Sequence, residues 1–550
     1  MPWTAGRGSY PFGWHGTGRT AAPAAPAPSI RGESPIVVPG PGPILALMTH
    51  HATKRRGRAV SRVLLAWAVC VVPAASELAA QDWPQWRGPS SLGVSPETGL
   101  PTTWGPGENV AWRTPLAGLG ASSPIVWGDL VVVTSQVGSA ALAGGDAHPR
   151  LARDDRALAE RETPIGGRRA EPDRTGSGIW LVVEAFRRSD GSRLWEHRIE
   201  AQGPLPELHE KHNLATPTPA TDGQRVYAWF GNGQVVALDT DGRVVWTRHL
   251  GVEYSPFRAR WGHGSSPTLY GDLLILLCDH QPESYLLALD ARTGKERWKA
   301  DRGEGRVSHS TPVVVPGAEG DELLVNSSER IDAYDPATGR LLWHTGTPRQ
   351  TPIPSAVFHD GVIYLSRGYR NSDYLAIRPG GRGDVTATHV EWQAPSGASY
   401  VPSIVYYQGL LYMTNEIGVV TCADARTGER LWRHRLDAVF FASPVAGDGK
   451  VYMVSETGET FVLAAGRAPK VLARNDLGER FLASPAIARG RLFLRSDRTL
   501  FAVGERGAPH HPDLHLPDGA RASMLCRLDK VGLAACREYV RGLRDPWGTN

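Results

Sequence analysis

The sequence predicts an all-β chain, an eight-bladed β-propeller of four-stranded antiparallel blades whose ring is closed by an N-terminal strand. Three observations predict it. The segment "ALDARTGKERW" (288–298) recurs at intervals of about 40 to 50 residues, within the period range of propeller repeats. A small-polar-Pro start to an apolar run occurs eight times, at Pro124, Pro219, Pro267, Pro312, Pro354, Pro402, Pro444 and Pro485. The eighth repeat stops near Glu505 without its last strand, while "NVAWRTPL" (109–116), ahead of the first of these prolines, reads as a strand without a partner. Supplying that strand to the last blade removes the sheet edges an open array would expose.

In chain order, residues 1–47 are rich in Pro, Ala and Gly with no periodicity, which predicts a disordered or untranslated extension. Met48 then opens a basic stretch, the apolar run "VLLAWAVCVVPAA" and small residues up to Ala79-Ala80, so 48–80 reads as a signal peptide cleaved near Ala80. The apolar run is short of the roughly 20 residues needed to span a bilayer, so no transmembrane helix is expected after signal removal. The expected location is the periplasm or outside the cell. The propeller is expected over 81–507, with an Arg-, Asp- and Glu-rich insertion at about 140–178 inside blade 1. That insertion reads either as a lid or partner-binding loop or as a disordered excursion. The tail 508–550 is polar and Pro-broken at first, with helix-like apolar spacing over 522–543.

Composition excludes some classes of function. The 60 basic and 56 acidic residues leave a net charge of +4 spread along 550 residues, without the basic stripe of a nucleic-acid binder. Cys278 and Cys422 lie in apolar strand-like runs and read as inert buried thiols. Cys526 and Cys536 can pair in an oxidising compartment.

Each repeat reads as two apolar strands around a Gly-Asp or Asp-Gly turn, then "xALD", an "xxTG" turn and a strand ending in Trp. The Asp accepts N–H bonds within its turn, the Gly supplies positive φ, and the Trp offers a flat surface to the neighbouring blade. This set comprises Asp239 and Trp246; Asp290, Gly294 and Trp298; Asp335, Gly339 and Trp343; and Asp424, Gly428 and Trp432. Copies spread around a ring cannot all meet one small molecule, so the set is expected to hold the fold.

At these residues the chain resembles the pyrroloquinoline-quinone-like (PQQ-like) repeat family, whose A-x-D-x-x-T-G-x-x-x-W tryptophan-docking motif matches 288–298, 333–343 and, with a first-position change, 422–432. The opening "DWPQWRGP" (82–89) is similar to the start of secreted bacterial proteins of this type. The resemblance implies one of two roles. One is that of quinoprotein alcohol dehydrogenases, which use PQQ and calcium. The other is that of the non-enzymatic, BamB-like assembly factors. The enzyme branch carries adjacent cysteines and a Glu/Asn/Asp calcium set; this sequence has no adjacent cysteines and no match to that set. No cofactor is therefore expected. The expectation is a non-catalytic, monomeric scaffold for a protein partner or extracellular ligand, the alternative being a divergent PQQ-type or metal-dependent oxidoreductase.

Strand order places the turn between strands two and three on the same face as the blade-to-blade connections, around the mouth of the central channel. His212, His263 and His309 fall there, just before successive Pro starts, with Asp279 nearby. Three imidazoles at one mouth can bind a divalent metal, whereas each can equally bond its own loop. Arg367 and Arg370 are candidates for an anionic ligand.

Overall fold

The computed structural model describes residues 82–138 and 178–505, except 207, 210, 260, 329, 347–351 and 369–372. The expected N-terminal extension and signal peptide, most of the blade 1 insertion, Arg370, the tail, Cys526 and Cys536 lie outside the described residues. Eight antiparallel sheets follow one another along the chain. Blades 1 to 8 begin at Ile125–Trp127, Ala220–Thr221, Thr268–Tyr270, Val313–Gly317, Val357–His359, Val405–Tyr407, Val445–Gly447 and Ala486–Ala488. The eighth sheet takes its outermost strand from Val110–Pro115, which pairs antiparallel with Thr499–Val503.

Blade 3 shows why these residues form these strands. Its second strand, Leu273–Asp279, is buried along its whole length, because neighbouring blades cover both of its faces. A strand covered on two sides needs a continuous apolar run, and "LLILLCD" is one. Its outermost strand, Glu296–Glu304, carries exposed charges between partly covered residues. The same register shift appears opposite the tryptophan in blade after blade, where Ala288 faces Trp298, Ala237 faces Trp246 and Cys422 faces Trp432. A small residue there leaves room for the indole, and the bulge turns it toward the next blade.

The Asp, Gly and Trp of the repeats do distinct jobs at these junctions. Asp290 Oδ1 accepts from the backbone N–H and the hydroxyl of Thr293, both at 2.8 Å. Gly294 adopts φ +71°, and a Cβ there would lie 2.7 Å from the Trp246 ring of the preceding blade. The Trp246 indole N–H donates to Ala291 O at 2.9 Å. Trp195, Trp298 and Trp112 repeat this contact with blades 2, 4 and 1. Trp343 departs from it, because blade 5 replaces the "xxTG" turn with residues 378–389. Gly383–Asp384 from that stretch joins blade 4 as a fifth, parallel strand, and the Trp343 indole donates to Glu322 of its own blade at 2.8 Å.

The Pro starts supply an inner ring. The N–H of Ser123 donates to Thr218 Oγ1, Thr218 to Ser266 and Ser266 to Thr311, each at 3.0 Å. Thr311 donates to Ser355, Ser355 to Ser403, Ser403 to Ser443 and Ser443 to Ser484, at 2.8–3.0 Å. Ser484 then donates back to Ser123 Oγ at 3.1 Å. Every blade thus satisfies an innermost backbone donor with the hydroxyl of the next blade, which is why a small hydroxyl residue adjoins each proline.

Candidate functional site at the channel mouth

The two ends of the channel are built differently. On the face of the first turns, residues 82–104 run across the floor. The Asp82 carboxylate accepts from Gly128 N–H and Arg489, Pro84 O accepts from Thr221 N–H, and Val94 bridges to Ala446. Glu97 accepts from Arg489 and Gly490 N–H, and Asp448 accepts from Leu100 N–H. At the centre is Arg87, 2% exposed, at φ +62°, donating to Leu92 O and Ile404 O at 2.7 and 2.6 Å. With no carboxylate beside it, burial lowers its pKa to about 9. "DWPQWRGP" is thus the start of a plug that touches blades 1, 2, 6, 7 and 8.

The opposite face carries the sequence candidates. Asp279 ends the second strand of blade 3, fully buried, and binds Arg302 through both oxygens at 2.7 and 3.0 Å. Arg302 continues to Asp332 and Tyr334 of blade 4 at 3.2 and 2.6 Å, and Asp332 also holds Arg306 and Arg330. Burial alone would lower the Arg302 pKa; Asp279, Tyr334 and Asp332 outweigh it and raise it. Asp279 is therefore part of a saturated buried network joining two blades. Arg367, 2% exposed, reaches from blade 5 to Asn326 Oδ1 of blade 4 at 2.6 Å. Neither it nor Asp279 is presented to a ligand.

The histidines come together at the junction of blades 2 and 3. His212 lies flat against the glycines of "WGHG": a Cβ on Gly262 would fall 2.7 Å from its Nδ1, and one on Gly264 3.3 Å from its Nε2. Gly264 also approaches His309. His263 is fully buried, its ring 4.2 Å from Trp229 and 5.3 Å from Phe257. His280, which the sequence reading did not single out, lies against Phe257 with ring centres 4.3 Å apart and planes tilted by 30°. Among the described residues, both nitrogens of His263, Nδ1 of His212, Nε2 of His280, the Trp229 indole and Ser265 Oγ make no well-formed hydrogen bond, the backbone of Asn213 and of Ser265 being close to His212 and His263. Burial holds all four imidazoles below the ordinary histidine range, His212 at about 3 and His309 at about 4.

Proximity does not make this cluster a metal centre. Among the described residues no three of His, Cys, Asp and Glu are arranged to hold a metal ion. A PQQ-calcium centre does not fit either, because calcium takes about six to eight oxygen ligands while Asp279, Asp332 and Glu456 each lie in ion pairs with Arg or Lys.

One connection crosses the mouth. Lys211, between blades 1 and 2, reaches Glu456 in the turn between strands two and three of blade 7 at 2.8 Å, with its ammonium 3.9 Å above the Phe441 ring. Blades 2 and 7 stand three positions apart around the ring. Glu456 is also held by Arg480, which pairs with Asp497 of blade 8. Beside this crossing Trp261 is 36% exposed at φ +73°, a backbone region unfavourable to a bulky side chain.

An eight-bladed ring with tryptophans packed between blades, a plugged floor and an elaborated mouth defines a PQQ-like β-propeller. The family profile described as outer membrane protein assembly factor BamB matches residues 181–434, 381–468 and 416–509, more than half the chain, and the chain belongs to that family. It is 23% identical over 305 residues to the outer membrane protein assembly factor BamB of Yersinia pestis, covering 50% of this chain and 70% of that protein. It is 26% identical over 294 residues to the tetrathionate hydrolase of Acidithiobacillus ferrooxidans, covering 50% of this chain and only about half (53%) of that protein's length. Among solved structures, the quinohemoprotein alcohol dehydrogenase of Comamonas testosteroni superposes with a TM-score of 0.51 at 12% identity, over 82% of this chain and 86% of that one. One from Pseudomonas putida HK5 gives 0.52 at 12% identity, over 81% and 83%. These two likenesses show the fold alone. Among the described residues no helix is long and apolar enough to cross a membrane.

Proposed function

We propose that the protein is an exported, non-catalytic propeller that binds a protein partner or extracellular ligand through its mouth face, as a monomeric scaffold of the bacterial cell envelope. The observation that carries this reading is the use of the charged side chains Asp279, Arg302, Asp332 and Arg367 at the mouth in bonds within and between blades. Family membership and the BamB relative of Yersinia pestis support it. In this reading, cleavage near Ala80 leaves the plug close to the mature N-terminus. A photo-crosslinking residue at Ile417, 38% exposed in the mouth-face turn of blade 6, tests it against one at Val244, 48% exposed on the outer strand of blade 2. A defined adduct from position 417 alone supports the reading, and adducts from neither position or equally from both count against it.

An enzymatic role at the same mouth is the second reading, favoured by the likeness to a tetrathionate hydrolase. The sequence alternative of a PQQ-type oxidoreductase belongs here, and a bound-quinone absorbance after adding PQQ and calcium to the purified protein would establish it over the scaffold.

A further inference from the structure

The Lys211–Asn213 stretch combines three kinds of contact. One end is a charged contact across the channel, Lys211 to Glu456 and Phe441. Next comes an imidazole, His212, wedged against two glycine backbones with its Nδ1 unsatisfied among the described residues, and the far end, Asn213, is a buried anchor bonded to Leu119 O and Thr216 Oγ1. The backbone it docks on holds Trp261 and Gly262 at φ +73° and +93°, and His209 N–H meets Trp261 O at 3.4 Å. Strained backbone is held in place by the structure around it and clusters at ligand clamps and switch regions, and a buried group without a hydrogen bond calls for a functional or structural reason.

We propose that Lys211–Asn213 is an acid-released latch across the channel mouth, docked through neutral histidines and freed when they gain protons. Burial sets the direction, and facing imidazoles add to it at His212 and His263. His212 faces His209 and His309; His263 faces His212, His280 and His309. Asp279 faces His309, while Asp279, Glu283 and Lys299 face His280. Asp279 favours a proton on His309 and His280, but it is already bound by Arg302, and burial outweighs it at both. A histidine whose docked pKa lies below its free value favours docking fully above the free value, and loses that contribution as pH falls through it. The window therefore opens near 6.5, the ordinary histidine value, and runs down toward about 4 for His309 and about 3 for His212.

The latch controls the mouth used in the proposed binding role and rests on that role for its purpose. Its test needs no partner, so its failure and a failure to capture one are separate results. Hydrogen exchange of the purified protein, corrected for intrinsic rates, is followed by mass spectrometry at pH 7.5 and 4.5. Peptides covering 208–213 are expected to exchange at least tenfold faster at pH 4.5, while the inner strands at Thr268–Tyr270 and Val445–Gly447 keep their protection. The double variant H212Q/H309Q is expected to lose most of that acceleration. K211M is expected to exchange faster at 208–213 already at pH 7.5. Equal rates at the two pH values, loss of protection in latch and inner strands together, or an unchanged acid response in the double variant would overturn the latch. K211M matching the wild type at pH 7.5 would overturn it independently, should the double variant fail to fold.

Discussion

Two neighbouring blade junctions at the mouth face solve the problem of buried polar groups in opposite ways. Between blades 3 and 4, Arg302 satisfies Asp279, Asp332 and Tyr334 at once, and every charge has a partner. Between blades 2 and 3, His212, His263 and His280 leave four ring nitrogens without a well-formed hydrogen bond among the described residues, the His263 ring against Trp229 and the His280 ring against Phe257. The first junction is a rivet, since breaking a buried charge network leaves the remaining charges stranded in low dielectric. The second is held by shape and by keeping its imidazoles neutral, so its stability depends on the solvent's proton supply. Residues of the same polar character thus lock one junction and leave the next responsive.

The largest test of this contrast is Arg302→Met. It strands Asp279, while Asp332 keeps Arg306 and Arg330, and should cost about 3–5 kcal/mol, read from the shift in a urea or guanidinium midpoint. A cost under about 1 kcal/mol would show that the network is not a rivet. Gly294→Val asks whether the Trp contacts outside the mouth are comparably important. The left-handed backbone alone should cost about 1–3 kcal/mol, and a Cβ 2.7 Å from Trp246 adds to that. Thermal unfolding measures it, and Gly271→Val, where φ is +56° but no atom lies within 4 Å, isolates the backbone share.

The histidine junction should respond to pH where the rivet does not. Because His212, His263, His280 and His309 all have lowered pKa values when folded, their contribution is complete above about 6.5 and declines as pH falls below it. Denaturation at pH 7.5 and 5.0 should show lower stability at 5.0, and His263→Leu should flatten that dependence. At pH 7.5 the same variant should lose no more than about 1 kcal/mol, since it removes two unsatisfied buried nitrogens rather than a bond. A loss of several kcal/mol would mean that His263 has a partner essential to the junction.

How much of this could be read from the chain differs by element. Asp290, Gly294 and Trp298 were legible because each acts within one turn or on the next identical turn, so their chemistry repeats at fixed spacing. Trp343 shows the limit of that reading, since its motif is intact and its neighbour blade is not. The hydroxyl-Pro starts were visible as a repeat, yet their closed ring of hydroxyl acceptors was not, because each bond joins two different blades, Ser123 to Thr218 being 95 positions apart and Ser484 to Ser123 361 apart. Arg302 carried no signal at all: in "WKADRGE" it looks like any charge on an exposed outer strand. Its depth comes from the blade that covers it.

The sequence by itself determined the repeat, the strand pattern within each blade and the face on which the histidines gather, because periodicity and turn chemistry act locally and strand order follows from them. Only the tertiary structure decided which polar residues are spent on the ring and which are left unsatisfied. That division depends on which side chain of one blade meets which of the next, and on Lys211 meeting Glu456 from across the mouth. Burial and pairing are properties of those encounters, and no single repeat contains them.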